Sequence, residues 1–185
     1  MAAPTLRAVW QDPFARFLLA GATLYLTWQL AYALALHPHG GLDRAVIDSL
    51  VVLSGGLLQL VGFELIPEPA NAEQIRTVGV QGGSLLWIGD NCNGLSLFVV
   101  YLIFIFAYPG PVRHKLWFAV LGLLSIHFIN VLRIAVLVVL ARHNYAWVDF
   151  NHDYTFYVVV YGWVFLLWYI WVTRLGPPLR RNTAA

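Results

Sequence analysis

The chain has 185 residues, of which 60% are apolar, 15% aromatic and only 11% charged. Soluble domains are roughly 45–50% apolar and about 25% charged, so this composition excludes an ordinary water-soluble fold and predicts an all-α polytopic membrane protein. A net charge of +2, with no basic tract interleaved with aromatics, excludes nucleic acid as a partner and leaves the lipid bilayer.

About five transmembrane helices are predicted, near Phe14–Leu36, Ala45–Ile66, Leu95–Tyr108, Leu116–Leu140 and Tyr154–Val172. In the first, Ala33-Leu34-Ala35 resembles a signal-peptidase site, but the apolar run before it is long for a signal sequence, which predicts an uncleaved helix. The second carries Asp48 and Gly55-Gly56. The third is short unless it extends back through Cys92. With no internal repeat, residues 1–176 read as one transmembrane domain, followed by a disordered cytoplasmic tail over 177–185 that opens with Pro177-Pro178.

Arg113 and Lys115, and then Arg174, Arg180 and Arg181, place two connections on the cytoplasmic side. Pro67–Asn91 and Arg142–Asp153 then face outward, with Trp87 and Trp147 at the outer interface and Trp117 and Trp171 at the inner one. Parity puts the N-terminus outside, against the pull of Arg7 and Arg16. The alternative is that Ala45–Ile66 does not fully cross.

The outer connection has a pattern of its own. Ile75–Val80 alternates with period two, Gly82-Gly83 follows, and Ser84–Ile88 is again β-prone. This predicts a small extracytoplasmic β-hairpin. Its edge suits an extended peptide by strand addition, or the hairpin is simply a cap over the helices.

Three residues stand out chemically. Cys92, the single cysteine, lies in Gly89-Asp90-Asn91-Cys92-Asn93-Gly94 where the hairpin ends and the third helix begins. Asp and Asn are helix-capping types, so Cys92 is expected in the first helical turn, where free N–H groups and the helix dipole favour a thiolate and offer an oxyanion hole. The alternative is a small inert core residue. Arg133 sits inside Phe128–Leu137, an apolar run in which an arginine costs about 2.5–3.5 kcal/mol even on mild insertion scales. It either lines a polar cavity, with Asn130 on the same face to hold its guanidinium, or snorkels to the interface. His152, in Asn151-His152-Asp153, opens the fifth helix, as a base or as a solvated neighbour of the helix end.

Cys92, Arg133 and His152 come from three helices and converge on the outer face under one orientation. A thiol with a nearby imidazole is the minimal pair for acyl transfer, and an arginine beside them lowers the thiol pKa and stabilises an oxyanion. The other histidines say less: His37 and His39 lie in a Pro/Gly turn too poor in ligands for a metal, His114 is in a loop, and His127 is a polar strip or a satisfied core residue.

These residues resemble the exosortase/archaeosortase family of membrane cysteine transpeptidases. The likeness rests on Asn91-Cys92-Asn93-Gly94, on Asn130-Val131-Leu132-Arg133-Ile134 and on Asn151-His152, with Gly162 and Phe165 further along, over roughly half the chain. Many members have Ser where Asn93 stands, and larger members have more helices. The resemblance implies a thiol protease and transpeptidase of the inner (plasma) membrane, multi-pass, with its active site at the extracytoplasmic face. Cys92 would be the nucleophile, His152 the proton-transfer partner and Arg133 the third essential residue, supported by Asn130, Asn93, Gly94 and Asn151. The implied substrate is a membrane-anchored secreted protein with a C-terminal sorting signal, passed through an acyl-thioester to an acceptor amine or water, with no cofactor or metal. Two other classes remain open on residues alone: a haem-binding subunit using His127 and His152, and a non-catalytic assembly or transport subunit in which Arg133 lines a path.

Overall fold

The computed structural model describes residues 12–67, 76–144, 148 and 156–177. Five main helices occupy the predicted places. Helix α1 (Pro13–Ala31) starts at Asp12, whose side chain accepts the Phe14 N–H at 2.9 Å, and has a proline at its start. It continues through a π-helical turn, Tyr32–Leu36, and a short helical stretch, His37–His39. Gly40, at φ 61°, turns the chain into α2 (Gly41–Leu60). Helix α3 is Leu95–Ala107, α4 is Val112–His143, and α5 (Phe156–Ile170) runs on through Trp171–Leu175.

Three of these are long and apolar enough to cross a bilayer: Pro13–His39, Val112–His143 and Val158–Leu175. Helix α3 is apolar but has 13 residues, about 20 Å against a hydrocarbon core of about 30 Å. Helix α2 buries Asp43 and exposes Arg44 and Asp48, a charge load that a lipid-facing span does not carry. The chain is thus a helical membrane protein with a two-stranded sheet, as its composition predicts. The tail from residue 178 and the start of the predicted fifth segment lie outside the described residues.

Two apolar clusters are stacked along α4. In one, Phe118 and Ile126 of α4 meet Tyr101 and Ile105 of α3 and Val164, Leu167 and Trp171 at α5. Gly122 permits the close approach of α3, since a Cβ there would lie 2.1 Å from the Tyr101 ring, whose hydroxyl donates to the Phe118 carbonyl at 2.6 Å. In the other, Val131, Ile134, Ala135 and Val138 of α4 meet Ile47, Leu50, Val51 and Leu58 of α2 and Val78, Val80 and Ile88 of the hairpin. Asn130 lies on α4 between the two.

The hairpin pairs β1 (Thr77–Val78) antiparallel with β2 (Leu86–Trp87), in the register Thr77 to Trp87 and Val78 to Leu86. The turn carries the predicted glycines, with Gly82 at φ 79°. The strands are shorter than the alternating sequence, and the chain after α2 adds to them through an isolated bridge between Leu65 and Val80. Arg142, near the end of α4, packs its guanidinium 5.6 Å from the Phe63 ring and lies against Gly83, tying α4 to this lobe.

Candidate active site

Cys92 ends a short 3-10 turn, Asp90–Cys92, rather than sitting in the first turn of α3. The reason is Gly94, which adopts φ 82° and separates the turn from the helix. Cys92 is half-buried and packs against the α2–α4–hairpin cluster. Its N–H donates to the Gly89 carbonyl at 2.9 Å, and the Asn93 N–H to that of Asp90 at 3.4 Å. The two amides nearest the sulfur are therefore engaged within the turn, and the oxyanion hole expected from them is not what the backbone offers.

Asn93, 1% exposed, anchors the turn. Its side-chain oxygen accepts the Leu95 N–H at 2.8 Å and so caps α3. Its side-chain amide donates to the Asp43 carboxylate at 2.7 Å. Asp43 is also 1% exposed and accepts the Tyr32 hydroxyl at 3.0 Å on both oxygens. The Asn93 carbonyl accepts the Asn130 side-chain amide at 3.0 Å. A buried polar layer thus links the end of α1, the start of α2, the cysteine turn and α4. On the solvent side of the turn, Asp90 pairs with Arg76 at 2.5 Å, joining it to the foot of β1.

The role expected of Asn130 changes accordingly. The spacing to Arg133 places it on the same helix face, but its amide binds the cysteine turn instead of the guanidinium. Its orientation is fixed by chemistry, because the Asn93 carbonyl accepts only from the NH₂ end.

Arg133, half-buried, lines one small cavity with Cys92, of about 30 Å³, walled by Leu86, Trp87 and Ile88 on the hairpin side and by Ile134 and Leu137 on α4. That volume holds about one water. Arg113 to Arg133 is 20 residues of α4, about 30 Å of rise, which matches the bilayer's hydrocarbon thickness. Arg133 lies ten residues before the end of the Val112–His143 span, and the hairpin and Cys92 lie beside it.

His152 and its neighbour Asn151 lie outside the described residues. His127 is placed apart from the cavity: its Nε2 lies 3.2 Å from the Ser49 hydroxyl, on a groove between α2 and α4. Among the described residues no group of three or more His, Cys, Asp or Glu side chains is arranged to hold a metal. Sequence reasoning missed Asp43 and Tyr32. An acidic residue leading an apolar run was the available signal, and it reads as an ordinary helix-start residue until the cysteine turn is seen beside it.

The family model described as transmembrane exosortase (Exosortase_EpsH) matches residues 15–174, from the first turn of α1 to the end of α5. Neither the curated proteins nor the solved structures gave a match. A match over most of the chain is decisive: the chain belongs to the transmembrane exosortase family.

Proposed function

We propose that this protein is a membrane-embedded cysteine transpeptidase that cleaves C-terminal sorting signals of membrane-anchored secreted proteins at the extracytoplasmic face of the inner membrane. The observation that carries this reading is the shared cavity of Cys92 and Arg133, side chains from separate elements, in a chain of the exosortase family.

The Cys92 thiolate attacks the scissile carbonyl, and the oxyanion that forms is stabilised by the Arg133 guanidinium, since the turn's own amides are engaged. The carbon–nitrogen bond breaks, His152 gives its proton to the leaving amine, and the acyl group remains as a thioester on sulfur. An acceptor amine, or water, then attacks the thioester and loses its proton to His152, and the thiolate departs. The Asn93–Asn130–Asp43 layer holds the turn so that the sulfur stays on the cavity wall.

The test is co-expression with a secreted reporter that ends in a candidate signal: a short motif, a transmembrane helix and a basic tail. Wild-type protein shortens the reporter, and a hydroxylamine-labile adduct accumulates on it. Cys92→Ala abolishes both. Undiminished processing by Cys92→Ala excludes the reading.

A further inference from the structure

The two edges of the small sheet have different neighbours. The Ile88 N–H donates to the Arg76 carbonyl at 2.8 Å, and Thr77 faces Trp87 while Val78 faces Leu86. Hydrogen-bonded and non-bonded pairs alternate along an antiparallel ladder. Arg76/Ile88 is a bonded pair, so Thr77/Trp87 is not. Thr77 and Gly79 therefore turn their polar backbone groups to the far side of β1, and Leu85 and Trp87 turn theirs to the far side of β2.

Beyond Val78 the far side of β1 is occupied, while Thr77 has no backbone partner among the described residues. Ile66 N–H donates to the Gly79 carbonyl at 2.9 Å, and Gln81 N–H to the Glu64 carbonyl at 2.8 Å. On the far side of β2, Trp87 has no backbone partner among the described residues. The Cys92–Arg133 cavity is lined by Leu86, Trp87 and Ile88 in succession. Successive side chains of a strand point to opposite faces, so a cavity that touches three in a row lies along the strand's edge. The Trp87 indole lies over Gly89, the residue before the cysteine turn, since a Cβ there would lie 2.7 Å from its ring.

We propose that the Trp87 edge of β2 is the docking strand for the substrate. An extended peptide segment next to the scissile bond pairs with the outward N–H and carbonyl of Trp87, and its scissile carbonyl is carried into the cavity beside Cys92. The occupant is an extended polypeptide because the groups on offer are one donor and one acceptor of a strand, continuous with the nucleophile's own cavity. This inference rests on the transpeptidase reading and adds to it the way the substrate is held.

The test uses the purified full-length protein in detergent, with alkylation of its one thiol read by intact mass. The probes are an N-acetyl tetra-alanyl chloromethyl ketone, its four singly N-methylated analogues, and iodoacetamide as the small control. Trp87 offers one carbonyl, so methylation of the one peptide N–H that faces it is expected to slow alkylation by about two- to tenfold, the worth of one backbone hydrogen bond. Methylation at the other three positions leaves the rate unchanged. Equal rates across the four analogues, or reaction with iodoacetamide but with none of the peptides, overturn strand docking while Cys92 remains a candidate nucleophile. A Cys92 inert to iodoacetamide and peptides alike in the folded protein removes the transpeptidase reading, and this inference with it.

Discussion

The Asn130 side-chain amide of α4 donates to the main-chain carbonyl of Asn93 at 3.0 Å, and it does so over the spot where residue 94 has no side chain. A Cβ built on Gly94 would lie 2.1 Å from that amide nitrogen. The glycine two places after the cysteine and the asparagine three places before the arginine are thus two halves of one contact.

Gly94→Ala is expected to suffer twice. The backbone at φ 82° costs a side-chain-bearing residue about 1–2 kcal/mol, and the new methyl displaces the Asn130 amide. Processing should fall more than tenfold, with a lowered unfolding midpoint in detergent. Adding Asn130→Ala removes the clash but not the strain, so the double variant should be less impaired than the sum of the two single ones. Strict additivity would separate the two residues.

Asp43 is a buried carboxylate whose contacts are donors, the Tyr32 hydroxyl and the Asn93 amide. Asp43→Ala leaves both without their acceptor and is expected to destabilise by about 2–5 kcal/mol and to abolish processing. Tyr32→Phe removes only the outer bond, at about 1 kcal/mol, and keeps most of the activity because Asn93 is still held. A Tyr32→Phe protein as inactive as Asp43→Ala would mean that the hydroxyl itself does more than brace the carboxylate.

The Arg76–Asp90 pair predicts a milder outcome. It is partly solvated, with side chains 17% and 34% exposed, and such pairs contribute about 0–1 kcal/mol. Asp90→Asn should therefore shift the unfolding midpoint little, and the difference from wild type should shrink at high salt. A loss as large as that of Asp43→Ala would show that the pair fixes the cysteine turn.

Much of this was legible in the chain. The helices are long apolar runs, and Gly82-Gly83 between β-prone segments marked the hairpin. Cys92 and Arg133 were visible because each is a polar or reactive group against an apolar background. What could not be read was how distant segments meet. Asp43 resembles a routine helix-start residue next to Gly40-Gly41, and its burial follows only when the chain returns 50 positions later to lay Asn93 beside it. Local helical spacing gave Asn130 to Arg133, since three residues apart means one face. It carries no information that the entrance to α3 lies against that face and takes the amide first. The helix-start reading of Cys92 failed for a local reason: Gly94 reads as a helix-tolerated residue until its left-handed backbone is known.

Arg133 brings the geometry to its sharpest test. If the guanidinium serves as the oxyanion donor, its fork of N–H groups at a fixed depth on α4 is what matters, and a positive charge alone is insufficient. Arg133→Lys keeps the charge at the same position on α4, so insertion and the unfolding midpoint should stay close to wild type. Processing of the reporter should drop by about 10²-fold or more, the scale of losing one preorganised donor to an oxyanion. Arg133→Gln should lose activity at least as fully while easing the cost of a charge at that depth. The ordering is diagnostic. A purely electrostatic role, in which the charge only attracts the substrate or favours the thiolate, makes Lys nearly normal and Gln inactive. A donor role makes both inactive and leaves both folded, and a near-normal Arg133→Lys enzyme would remove Arg133 from the oxyanion site.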